Sequence, residues 1–193
     1  MGQFDPRAYG PVFAPLLETD RRRPLDGGTP DRGARPALER LDVRTAFAHA
    51  ARKLADREMA ACCVSALWLL HDYLDESHRI SQSIKNPSGS YWHAIMHRRE
   101  GDFSNSKYWF RHVGEHPVFE PLAQRAAEIA AERGKNATKE RLVVGDGWDP
   151  DAFVDLCHAA LRDTGELHAL CLDVQQAEWE LLFDDCYRAA ISG

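Results

Sequence analysis

The chain has 193 residues, which suits one domain with a substantial core, and its 44% hydrophobic and 28% charged content excludes a wholly disordered class. A formal net charge of -6 excludes a general nucleic-acid binder, because attraction to phosphate needs a basic excess. No apolar run approaches the ~18 residues of a membrane span, and the start MGQFDPRAYG lacks a charged-then-apolar signal pattern, so the expected location is cytoplasmic.

Residues 1–36 hold most of the prolines and the turn-rich run LDGGTPDRGARP, a composition that predicts an extended N-terminal arm without a long helix or regular strand. Val12, Phe13, Leu16 and Leu17 would dock the arm on the body, and Arg21-Arg22-Arg23 reads as a solvated charge run. Residues 37–193 form the expected helical domain, opening with Ala37, Leu38, Leu41, Phe47, Ala50, Ala51 and Leu54 at mixed three- and four-residue intervals. One helix is predicted from Met59 to Ile84 on the stripe Leu67, Leu70, Leu74, Ser77, Ser81 and Ile84, with Pro87-Ser88-Gly89 as its stop.

The next helix is predicted from Ser90 to Arg99, broken at Gly101-Asp102 and resumed from Asn105 to Val113. An Ala-rich helix follows over Phe119 to Arg133, and Leu142-Val143-Val144 is too short to assign. Asp149-Pro150-Asp151 reads as an N-cap followed by proline at the first helical position, launching Ala152 to Arg162; the last helix spans Glu166 to Ala190. The fold class is therefore all-α, a single-domain array or bundle of about six helices. The five cysteines form no CxxC pair and read as reduced, buried thiols.

Polar chemistry concentrates between His71 and Arg111. His71, Asp75 and His78 stand at i, i+4 and i+7, one face of a helix, and His93, His97 and Glu100 repeat that spacing 22 residues later. Imidazole nitrogen and carboxylate oxygen are ligands for zinc, iron and manganese, and helical bundles build such centres from facing helices. The spacing equally suits histidines that hydrogen-bond locally, for example His97 to Glu100. Arg98, Arg99 and Arg111 are candidates to hold a small anion through forked hydrogen bonds; pairing of Arg98 and Arg99 with Glu100, Asp102 or Glu115 is the competing reading.

Three resemblances extend this reading. The stretch VSALWLLHDYLDESH is similar to the signature of HD-domain phosphohydrolases, which implies metal binding by His49, His71 and Asp72 with Asp102 or Asp155 as a fourth ligand. The run GDFSNSKYWFRHVGEHP resembles the second helix of a tetratricopeptide-like hairpin, implying a turn at Gly101-Asp102-Phe103, packing at Ser106, Phe110 and Val113, and protein-partner binding. The longer run around HRREGDFSNSKYWFR, with QQAEWELLFDDC near the C-terminus, resembles uncharacterised bacterial helical proteins and implies that residues 93–109 and the last helix share one folded unit.

The functional expectation is a divalent-metal pocket with His71, His78, His93 and His97 as ligands and Asp72, Asp75 and Glu100 as catalytic carboxylates. Arg98, Arg99 and Arg111 would hold a small anionic substrate, for hydrolase-like activation of water. The alternative is a non-catalytic, tetratricopeptide-like module that binds a protein partner.

Overall fold

The computed structural model describes residues 4–47, 54–134, 143–144, 147–162 and 165–192. Among these residues the fold is all-α, with ten α-helices, one short 3-10 helix at Pro6–Tyr9 and a minimal two-stranded ladder. The helices are α1 (Gly10–Leu17), α2 (Arg35–Leu38), α3 (Val43–Ala46), α4 (Arg57–Leu70), α5 (Leu74–Ser81), α6 (Pro87–Glu100), α7 (Phe103–Val113), α8 (Phe119–Glu132), α9 (Pro150–Ala160) and α10 (Glu166–Ile191). The number exceeds the expected six because the Met59 to Ile84 helix is two, the opening of the helical domain gives α2 and α3, and α1 forms in the arm. The unassigned Val143-Val144 is β1, pairing antiparallel with β2 (Gly147–Trp148).

Helix α6 is the centre of the structure. Every residue from Ser88 to Arg99 is buried, and the helix packs against α4, α5 and, most extensively, α7. Its start corrects the expected stop: Pro87 occupies the first turn and the Asn86 side chain accepts from the Gly89 N–H at 2.8 Å, so Pro-Ser-Gly launches α6 instead of ending its predecessor. Its end follows expectation, because Gly101 takes the left-handed φ of 88° and Asp102 caps α7 through the Asn105 N–H. Helix α10 lies along α4 and α8.

The single helix expected over Met59 to Ile84 is two helices. Asp72 adopts φ 62°, a left-handed conformation that stops α4 and lets α5 leave in a new direction. The buried Asp72 carboxylate accepts from Arg99 Nη2 at 2.6 Å, from Arg23 and from the Thr29 N–H at 3.2 Å. Glycine is required at position 28: its φ is 66°, and a Cβ there would stand 2.5 Å from an Asp72 oxygen.

The N-terminal arm docks as expected through Phe13, Leu16 and Leu17, which are buried; Phe13 packs edge-on against Phe183 and Tyr187 of α10. Its conformation departs from the extended reading, since α1 forms with Pro15 inside it. The arginine run departs too: Arg21 pairs with Glu180 at 2.7 Å, Arg22 with Asp173 at 2.6 Å and Arg23 with Asp72, so three charges read as solvated fasten the arm to the body. All five cysteines are buried and none is in a disulfide.

Asp72→Asn keeps a residue that tolerates positive φ while removing the charge opposite Arg99, whose side chain is only 2% exposed. We expect a loss of about 3–5 kcal/mol, read from the shift in urea midpoint, because one partner of a buried ion pair is left uncompensated. Adding Arg99→Met should recover part of it.

Candidate metal centre

Three histidines meet where α5 crosses α6 and α7 closes over them. His78 lies on α5, and His93 and His97 lie one turn apart on α6, so their rings face the same groove. One donor atom from each falls within 4.8 Å of the others, a separation that a bound ion could bridge. Ring centroids are 4.7 Å apart for His78 and His93, 4.6 Å for His93 and His97, and 5.3 Å for His78 and His97. His93 and His97 are buried and His78 is half-buried.

Neighbouring side chains hold the rings. Ser81 Oγ stands 3.3 Å from His93 Nδ1, and Trp109 of α7 covers the same ring at 4.1 Å between centroids. Glu100 Oε1 makes a short contact with His97 Nδ1, and the Asn105 amide nitrogen lies 3.0 Å from His97 Nε2. His97, Glu100 and Asp102 form a second, overlapping donor group, in which both carboxylates are exposed, so the centre opens to solvent on that side.

Burial, followed by the neighbouring His97 and His78, pushes the His93 pKa down to about 3. That ring is neutral across the ordinary range and carries a lone pair, the state a metal ligand needs. The Asn105 backbone N–H and then the Ser104 hydroxyl hold the Asp102 carboxyl below its usual value. Buried groups here are geometrically able to hold a metal.

Of the ten residues assigned from sequence, the structure brings together His78, His93, His97 and Glu100. His71 is elsewhere: it follows the end of α4, with Nδ1 3.2 Å from Asp31 Oδ2 and Nε2 3.0 Å from the Leu16 carbonyl, and it fastens the arm. Asp72 is occupied by arginines, and Asp75 lines an open cleft with Arg32, Arg35, Tyr73 and Glu76. The break at Asp72 is the reason, because a continuous helix is needed to keep positions 71, 75 and 78 on one face.

The arginines are corrected likewise. Arg98 is wholly buried against Glu178 of α10, with its guanidinium 4.6 Å above the Phe153 ring. Arg99 donates to Asp72, to the Leu69 carbonyl at 2.8 Å and to the Asp26 carbonyl at 3.1 Å. Neither takes the partner expected of it, Glu100, Asp102 or Glu115. Arg111 is exposed beside the Tyr108 ring.

The HD-type set does not assemble among the described residues. His49 lies outside them, His71 and Asp72 are engaged as above, Asp102 belongs with His97, and Asp155 pairs with Lys107 at 2.7 Å. Ser106, Phe110 and Val113 are buried packing positions on α7. Searched against protein-family models, curated proteins and solved structures, the chain matches none.

The sequence pattern alone does not place Ser81, Asn105 and Trp109 at the site. Their signal is periodic: Ser81 stands three residues after His78, and Asn105 and Trp109 share one face of α7, three and seven residues after its cap Asp102. Reading it requires knowing which faces meet.

Outside this centre, Ser88 Oγ and His116 Nε2 are 3.0 Å apart, a pairing that suggests a nucleophile and its base. The Val118 N–H donates to His116 Nδ1 at 3.2 Å, so the neutral ring keeps its proton on Nε2 and donates it to Ser88. His116 is therefore structural, and burial pushes its pKa down to about 4.

A folded-state pKa below the unfolded value of about 6.5 means that the unfolded chain binds more protons between pH 6.5 and 4. His116 thus contributes stability that is present above about 6.5 and lost as pH falls towards about 4, of order 3 kcal/mol in total. We expect His116→Gln to flatten the pH dependence of the urea midpoint across that window by a comparable amount.

Proposed function

We propose that this chain binds a divalent transition-metal ion through His78, His93 and His97 and uses it for hydrolase-like activation of water on a small anionic substrate. The observation that carries the reading is the convergence of one donor atom from each of the three imidazoles to within 4.8 Å, beside the exposed carboxylates of Glu100 and Asp102. Among zinc, iron and manganese, zinc is favoured by an all-nitrogen set, because manganese prefers sites richer in oxygen. A three-histidine zinc site supplies a Lewis acid with an open position, where a coordinated water ionises near pH ~7.

The chain's own residues divide the remaining work. His93 is neutral, and Trp109 shields it from water. Of the three carboxylates expected to be catalytic, Asp72, Asp75 and Glu100, it is Glu100, 39% exposed in its side chain, that stands at the histidines. Arg98 and Arg99 are committed to Glu178 and Asp72, so attraction of an anion falls to the dication and to surface charge such as Arg111.

Protein purified without a histidine tag, stripped with chelator and titrated with zinc should take up one ion per chain. His93→Ala and His97→Ala should abolish stoichiometric uptake, whereas His112→Ala, an exposed change on α7, should not. Failure of the untagged wild type to take up zinc, iron or manganese would sink the reading. Hydrolysis of a small phosphate ester by the reloaded protein, absent from His93→Ala, tests the catalytic half.

A further inference from the structure

The hydroxyl of Ser81 has one proton, and a backbone carbonyl is in position to take it. Ser81 Oγ lies 3.3 Å from the His78 carbonyl oxygen, which can only accept, and 3.3 Å from His93 Nδ1. With the proton directed to the carbonyl, the oxygen facing His93 is an acceptor, and the neutral ring must carry its proton on Nδ1. The lone pair of His93 is then on Nε2.

Glu100 imposes the same choice on the next ligand. A carboxylate oxygen accepts, so its contact with His97 Nδ1 places the proton there and the lone pair on Nε2. The Asn105 NH2 nitrogen stands 3.0 Å from Nε2 and 3.4 Å from Nδ1; in the metal-free protein it donates to the nearer nitrogen's lone pair, a bond that an ion would displace. Two unrelated residues, one buried on α5 and one exposed at the end of α6, thus set the same tautomer on adjacent rings.

We propose that Ser81 and Glu100 are positioning residues that hold His93 and His97 in the Nδ1–H tautomer and so present both Nε2 atoms to one ion. This rests on the metal reading for its purpose, but the tautomers exist in the metal-free protein. Ser81 has a second part, because its bond to the His78 carbonyl ties the backbone of one ligand to the ring of another. Ligating histidines whose other nitrogen is held this way lose roughly 10- to 100-fold in metal affinity when the holding group is removed.

The test is long-range proton–nitrogen correlation NMR on the metal-free chain at about pH 8, where an ordinary imidazole is neutral. His93 and His97 should both show the Nδ1–H pattern. Ser81→Ala, a small change in a buried site, should release His93 to the Nε2–H form and weaken zinc binding about 10- to 100-fold. Glu100→Ala should do the same to His97, while Glu100→Gln, whose amide oxygen still accepts, should keep the tautomer and most of the affinity.

An Nε2–H pattern at either histidine in the wild type would overturn the proposal, as would a Ser81→Ala variant with unchanged tautomer and zinc affinity. Nδ1–H patterns in a chain that takes up no zinc would overturn the metal-presenting role and the function proposed above together. They would leave Ser81 and Glu100 as tautomer-setting groups only. Wild-type zinc uptake with Nε2–H rings would overturn the positioning roles alone.

Discussion

The structure is organised by the need to neutralise two arginines on a helix that solvent does not reach. Arg98 and Arg99 sit on the most enclosed element, α6, with side chains 0% and 2% exposed. An unpaired charge in that position would cost several kcal/mol, so carboxylates must be brought from distant parts of the chain. Glu178 arrives on α10 and Asp72 on the turn after α4. The N-terminal arm follows, because Arg23 completes the shell of Asp72 and the Asp26 carbonyl accepts from Arg99. Apolar burial supplies the driving force, while these pairs fix which elements are neighbours.

Successive helical residues point about 100° apart, so the run His97-Arg98-Arg99-Glu100 sends its four polar groups to four places. His97 faces the histidine groove, Arg98 faces α10, Arg99 faces the Asp72 turn, and Glu100 reaches solvent while touching His97. The two buried pairs hold α6 on the sides away from the groove. A donor set on such a helix is positioned by packed structure on several sides, the condition under which ligands keep their geometry without an ion present. The open edge at Glu100 and Asp102 leaves a route for solvent and solute.

Much of the architecture was legible from residue patterns. The helix starts at Asp149-Pro150 and the break at Gly101-Asp102 are local chemistry, and both stand where capping and left-handed preference place them. The spacing of His93, His97 and Glu100 on one helix is likewise local, and those groups do lie together. Long-range pairing left a fainter trace. Nothing beside Asp72 marks it as a helix terminator, because its conformation is stabilised by Arg23 and Arg99, 49 and 27 residues away. The same gap made Arg21-Arg22-Arg23 look solvated and Arg98-Arg99 look free to grip an anion.

The two halves of the chemistry are linked at that one residue. Were α4 to run straight on to Ile84, His71 and His78 would share a face and both would bear on the same neighbour. The left-handed turn at Asp72 separates them, turning His71 to the arm at Asp31 and Leu16 and delivering His78 to the α6 groove. Arg99 holds that turn from α6 itself, two residues beyond His97. The helix that carries two of the three imidazoles therefore also fixes the path of the third, through a pair that never touches the donor atoms. A change at Asp72 or Arg99 reaches the site through the direction of α5, whereas a change at Ser81 or Glu100 acts on the rings directly.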